Sequence, residues 1–287
     1  MSPVAVVLVV IAAFAHAGWN TSAKRAGAGG VVFVWLSAAL SVAVVAPVAV
    51  VDVLVSGAHP AWSWLLAVGV SGLLHLAYFV LLQRGYAEGD MSVVYPLARG
   101  TGPLLSVLFA VVLLGERPGA VALAGALAVV AGVFVIGGLG SSSGSGSRRA
   151  GVAYGLVTGV TITAYTLWDA HAVTTLTVPP LVQLAGSVTV QAAALTPVAL
   201  AKRPEIARMW REHRWNAASV AVLSPAAYGL VLYALRIAPV ALVAPARELS
   251  IVIGGIIAWR VLHEPNPARR LVGAAIVLAG VFALAVG

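Results

Sequence analysis

Val93-Val94-Tyr95-Pro96-Leu97-Ala98-Arg99 returns in altered form as Leu242-Val243-Ala244-Pro245-Ala246-Arg247, with the prolines 149 residues apart. The pairing is not isolated. Trp19-Asn20 returns as Trp168-Asp169, and Tyr78 as Tyr228. Gly115-Glu116-Arg117-Pro118 returns as His263-Glu264-Pro265, and Ala131-Gly132-Val133-Phe134 as Ala279-Gly280-Val281-Phe282. An offset that stays between 148 and 150 through the whole chain marks a duplication. Self-similarity at a fixed period is the first thing to establish about a fold, because the unit and not the chain is then the object to interpret.

Of the 287 residues, 61% are hydrophobic and 9% are charged. Soluble domains carry about 25% charged residues, and surface-to-volume scaling leaves a soluble chain of this size no room to hide so much apolar surface. Lipid is the remaining solvent. Ten runs are long enough for the roughly 20 apolar residues that cross a bilayer. They cover approximately Pro3–Thr21, Gly30–Leu54, Ala61–Arg84, Met91–Leu114, Gly119–Gly138, Ala150–His171, Val178–Leu200, Asn216–Arg236, Pro239–Val261 and Leu271–Ala285. In lipid every backbone polar group must be bonded internally, so these runs are expected to be helices. The first is expected to be retained, since Met1-Ser2-Pro3 lacks the basic residues of a signal peptide. Lys202–Arg214, basic with Trp210 among its charges, is expected in the headgroup region.

The boundaries follow. Residues 1–139 make one five-helix repeat, 140–149 a Gly/Ser linker, and 150–287 a second repeat. An odd number of spans per repeat forces the second copy to enter the membrane upside down, which is the plan of many secondary transporters. The predicted fold is therefore an all-α membrane protein of ten transmembrane helices, arranged as two inverted repeats around a central cavity. Of the Lys and Arg residues other than Arg99 and Arg247, all but Arg117 and Arg236 fall on one side of this map. The bias of cations toward the cytoplasm then places both termini on the opposite side. The net charge of +8 is thus a topology signal, and no nucleic-acid partner is expected. Without cysteine there is neither a disulfide nor a thiolate metal site. No phosphate-cradling loop or nucleophile elbow occurs, so the chain is expected to be no enzyme and to need no cofactor or metal.

Charges at bilayer depth are costly and usually face a cavity. Arg99, Asp169, Arg247 and Glu248 are the four in question. Arg99 follows Pro96, which opens the helix locally; its guanidinium either pairs structurally or captures a carboxylate or phosphate. Arg247 and Glu248 are adjacent and point about 100° apart on a helix, so one of them can reach the other repeat. Glu248 is either half of a structural ion pair or a carboxylate that exchanges protons or holds a cation. Asp169 is either a proton-coupling group or a boundary residue in water near the end of the sixth helix. Trp19, Tyr78, Tyr95, Tyr165, Trp168 and Tyr228 supply rings for a substrate, or for packing, and Asn20 adds a hydrogen-bonding amide. His16, His75 and His171 stand alone. Glu116 and Glu264 lie in helix connections and are expected to serve the turns. Gly125 and Gly132, like Gly273 and Gly280, are seven apart and share a helix face suited to close packing, within the protein or in a homodimer.

With these residues in view, the chain resembles the EamA-type branch of the drug/metabolite transporter superfamily. Gly115-Glu116-Arg117-Pro118 and Glu264-Pro265 in matching connections carry the likeness, together with His16-Ala17-Gly18-Trp19-Asn20, Val94–Arg99 and Arg247-Glu248-Leu249-Ser250. The resemblance implies a cavity lined by helices 1, 3, 4, 6, 8 and 9. It also implies transport of a small polar or amphipathic metabolite, amino-acid-like, cationic or anionic, across the inner membrane by alternating access, with export as one direction. The implied partners are a small-molecule substrate, the lipid bilayer and, as a coupling ion, protons; the chain would act as a monomer or homodimer. Relatives of the family place both termini in the cytoplasm, against the charge count here. The competing reading from another class is a non-transporting membrane subunit or scaffold.

Overall fold

The computed structural model describes residues 1–26, 30–89, 91–137, 147–262 and 267–287. The connection that holds Glu264, and 140–146 of the Gly/Ser linker, lie outside the described residues. The first repeat contains α1 (Pro3–Arg25), α2 (Gly30–Ser56), α3 (Trp62–Glu88), α4 (Met91–Leu113) and α5 (Ala120–Gly137). The second contains α6 (Arg148–Thr174), α7 (Pro180–Ala201), α8 (Arg203–Ile237), α9 (Val240–Ala246), α10 (Leu249–Leu262) and α11 (Pro267–Val286). α9 and α10 are the two halves of one span. Among the described residues, nine segments are long and apolar enough to cross a membrane, and Leu271–Val286 is a shorter apolar helix. Large apolar side chains such as Leu54, Leu108 and Phe282 lie on the outside, where lipid is the solvent they fit.

Sequence signals explain where the helices stop. α4 ends in a left-handed residue, Gly115, at φ 68°. The next N–H, of Glu116, then reaches back to the carbonyl of Ala110 at 3.1 Å and closes the end of the helix. α7 begins with Pro180 at its first turn, where a missing N–H costs nothing. Two boundaries differ from the sequence-based expectation. The polar stretch 203–214 is helical and continuous with the eighth span, and a non-helical His213 (φ −130°, ψ 18°) separates it from the apolar part. The sixth helix runs on to Thr174, so Asp169 is a turn and a half inside it.

The halves interlock rather than sit side by side. α5 packs along α11, α2 along α7, α4 along α6, and α1 along α8. The α5–α11 contact is made by bare backbone. A Cβ on Gly125 would stand 2.7 Å from the Gly280 carbonyl oxygen, and one on Gly132 would stand 2.8 Å from that of Gly273. Glycine is needed there because nothing larger lets the two backbones approach so closely. At one end of the bundle the N-terminal ammonium donates to the Ala285 carbonyl at 3.0 Å. At the other, Ser147 N–H donates to the Glu88 carbonyl and Tyr154 Oη to the Glu88 carboxylate, tying the start of α6 to the end of α3.

Candidate functional site

The ninth span breaks where its charges are. Pro245 cannot donate, and the chain tightens after it: Glu248 N–H bonds the Pro245 carbonyl at 2.9 Å, and Ser250 N–H bonds that of Arg247 at 3.2 Å. These i→i−3 bonds replace the wider α-helical pattern for one turn. The result is that Arg247 and Glu248 leave the span between two half-helices, with all of α9 buried around them.

Glu248 turns toward the first repeat. One of its oxygens, Oε2, lies 3.0 Å from Nη2 of Arg99 on α4. The same Arg99 nitrogen donates to Ser250 Oγ at 3.3 Å. Arg247 turns toward α6, with its guanidinium carbon 5.8 Å from the centre of the Tyr165 ring. Its Nε stands 3.8 Å from Glu248 Oε1. Arg99 is 11% exposed, Arg247 3% and Glu248 1%. Two cations and one anion, drawn from both repeats, are therefore held largely out of solvent. Nε of Arg99, and both Nε and Nη2 of Arg247, are buried without a hydrogen-bond partner.

An aromatic group adjoins this cluster. Tyr165 stacks on His75 with centroids 4.1 Å apart and meets Tyr78 and Tyr228 edge-on at 5.8 and 6.1 Å. Tyr228 Oη donates to Asp169, and Gln183 Nε2 donates to the other carboxylate oxygen at 2.8 Å. Asp169 is 0% exposed, so the boundary-residue reading fails: α6 continues past it, and two neutral donors take the place of water.

Three of the expected residues stand apart from the charged centre. Trp168 is half-buried, and its indole donates to the Ala67 carbonyl on α3 at 2.9 Å. Trp19 tilts against His16 at 5.4 Å, with its indole nitrogen unbonded. Asn20 is exposed and donates back to the His16 carbonyl one turn earlier. Tyr95, one turn before Arg99 on α4, is 37% exposed and within side-chain hydrogen-bonding reach of Arg99, so it borders the charged centre. The structure adds His75 and Gln183, which the sequence reading did not select. His75 carried a faint signal in its spacing of three from Tyr78, which puts both on one helix face.

A crevice of about 390 Å³ opens at the end of the bundle that is poor in basic residues. Glu116, His171, Thr174, Arg236 and Pro239 line it. Glu116 takes the N–H groups of Val240 and Ala241 on its two oxygens, each at 2.8 Å, and so caps α9. Between the crevice and Arg247, the intervening turns of α8 and α9 carry Val231, Leu232, Val243 and Ala244, all buried in one apolar cluster.

A family model described as the EamA-like transporter family matches this chain twice, at residues 3–138 and 149–286. No curated protein matches it. A solved crystal structure, described only as that of a protein, aligns with a TM-score of 0.71 at 18% identity, over 97% of this chain and 98% of that one. That likeness is one of fold.

Proposed function

The chain belongs to the EamA-like transporter family, and we propose that it is a secondary transporter carrying a small polar or amphipathic metabolite across the inner membrane by alternating access. The observation that supports this most is the meeting of Arg99 from one repeat with Arg247 and Glu248 from the other, buried at a break in the ninth span. Broken helices at the interface of inverted repeats are where such proteins place their substrates. A purely structural ion pair would be complete in itself. Here a second guanidinium stands beside the pair with donors unused.

The crevice and the apolar layer beneath it fit an occluded centre with a vestibule on one side. By the distribution of Lys and Arg that side faces away from the cytoplasm. Glu248 is the candidate for proton coupling, because its charge is balanced by residues that a substrate would disturb. Asp169 is a weaker candidate, held by Gln183 and Tyr228. Its closed set of bonds is the kind of arrangement that the scaffold reading would require of every interior charge.

The test is uptake into proteoliposomes with a panel of labelled amino acids, organic cations, organic acids and phosphorylated metabolites, with and without a pH gradient. The expected result is accumulation of at least one class by the wild type. Arg99→Ala should abolish it, and Glu248→Gln should remove its dependence on the gradient. A folded wild type that moves none of them would support the scaffold reading instead.

A further inference from the structure

We infer that the group received at this site is a single carboxylate, docked side-on to Arg247 and carried by a molecule with a flat apolar body. This rests on the transport reading and narrows its substrate class. Nε and Nη2 of Arg247 are the two nitrogens on one edge of the guanidinium, and both are buried without a partner among the described residues. Their N–H bonds run parallel, at the spacing of the two oxygens of a carboxylate. Buried donors left unbonded are unfavourable, so an empty fork in the interior is a site awaiting an acceptor.

The balance of charge selects the acceptor. Glu248 is engaged by Arg99, which also bonds Ser250. Arg247 approaches the same carboxylate only to 3.8 Å, and neither Glu248 oxygen is in hydrogen-bond geometry with it or with Arg99, which meets the carboxylate as an ion pair. One positive charge is left over. A monoanion cancels it, whereas a cation would add a second surplus charge in a medium that screens poorly. Asp169 keeps its own negative charge, but it is bonded to Gln183 and Tyr228 and makes no ion pair with Arg247 among the described residues, so the surplus beside the fork is local. The ring of Tyr165 lies against Arg247, with His75 and Tyr228 beside it, so the wall next to the fork is aromatic. Planar apolar bodies pack well on such walls. The crevice agrees: it presents Arg236 and His171, while its one carboxylate, Glu116, is already bonded to α9.

The experiment measures equilibrium binding to the purified full-length chain in detergent, using benzoate, benzylamine, benzyl alcohol and phenyl phosphate. These share a ring and differ in head group. Benzoate is expected to bind, and the other three to bind at least tenfold more weakly. Arg247→Lys keeps the charge but loses the fork, and should raise the Kd for benzoate tenfold or more. Glu248→Gln increases the surplus charge and should lower it severalfold; this arm stands even if the lysine variant fails to fold. Preference for benzylamine, equal affinity for phenyl phosphate, or benzoate binding unchanged in both folded variants overturns the inference. Proteoliposome flux separates it from the transport reading. Benzoate that binds by this pattern but is never carried leaves the site assignment standing without transport; a carried solute lacking a carboxylate does the reverse.

Discussion

Arg99 and Glu248 face each other at 3.0 Å, with Arg99 11% exposed and Glu248 1%. Removing one partner from such a pair strands the other, at a cost of about 3–5 kcal/mol, while replacing both with apolar residues of similar size costs far less. Arg99→Met and Glu248→Leu should therefore each destabilise the protein strongly, and the double variant should recover most of the loss. Thermal unfolding of the four proteins in detergent completes the cycle. The charged members of this centre were legible because charge at bilayer depth is rare enough to count. Their ring neighbours Tyr165 and Tyr228 were legible as mid-helix aromatics. Asp169 was legible as a residue but not as an environment: whether a carboxylate meets water or Gln183 depends on where a neighbouring helix lies. Gln183 itself is one amide in an apolar run, and nothing local says what it faces.

At the scale of the helix, the close seam between α5 and α11 gives a sharp contrast. A methyl group at Gly132 would press on the Gly273 carbonyl and on Val277. Overpacking of this kind typically costs about 1–3 kcal/mol. Gly69 in α3 has nothing within 4 Å of the same position, and alanine there should be neutral or gain up to about 1 kcal/mol from helix propensity. Gly132→Ala should thus lower the unfolding temperature and Gly69→Ala should not. Element existence was readable from apolar run length alone, and so was the sharing of one face by the glycine pairs. The break in the ninth span was not readable. Pro245 announced a disturbance, but Pro96 and Pro225 announce the same thing and their helices continue. The difference lies in the turn that follows: its tightened bonds keep Arg247 and Glu248 on partners in other helices.

For the molecule in its membrane, the open question is which way it faces. The absence of cysteine makes single-cysteine labelling clean. His59, on the connection after α2, and Ala207, in the amphipathic start of α8, are both exposed and lie at opposite ends of the bundle. In intact cells a membrane-impermeant maleimide should label His59→Cys, and should label Ala207→Cys only after permeabilisation; the reverse pattern would sink the charge-based orientation. The pairings of α5 with α11 and of α2 with α7 join each helix to its own counterpart in the other repeat. An interface built from the same patch on both sides is isologous, the kind that two identical chains form about a twofold axis. Since the repeats are inverted, that axis lies in the plane of the membrane. A single five-helix half would already present everything its oppositely inserted twin needs in order to dock. The close glycine seam is therefore the surface across which an ancestral antiparallel dimer could have been held before its two genes were joined into one.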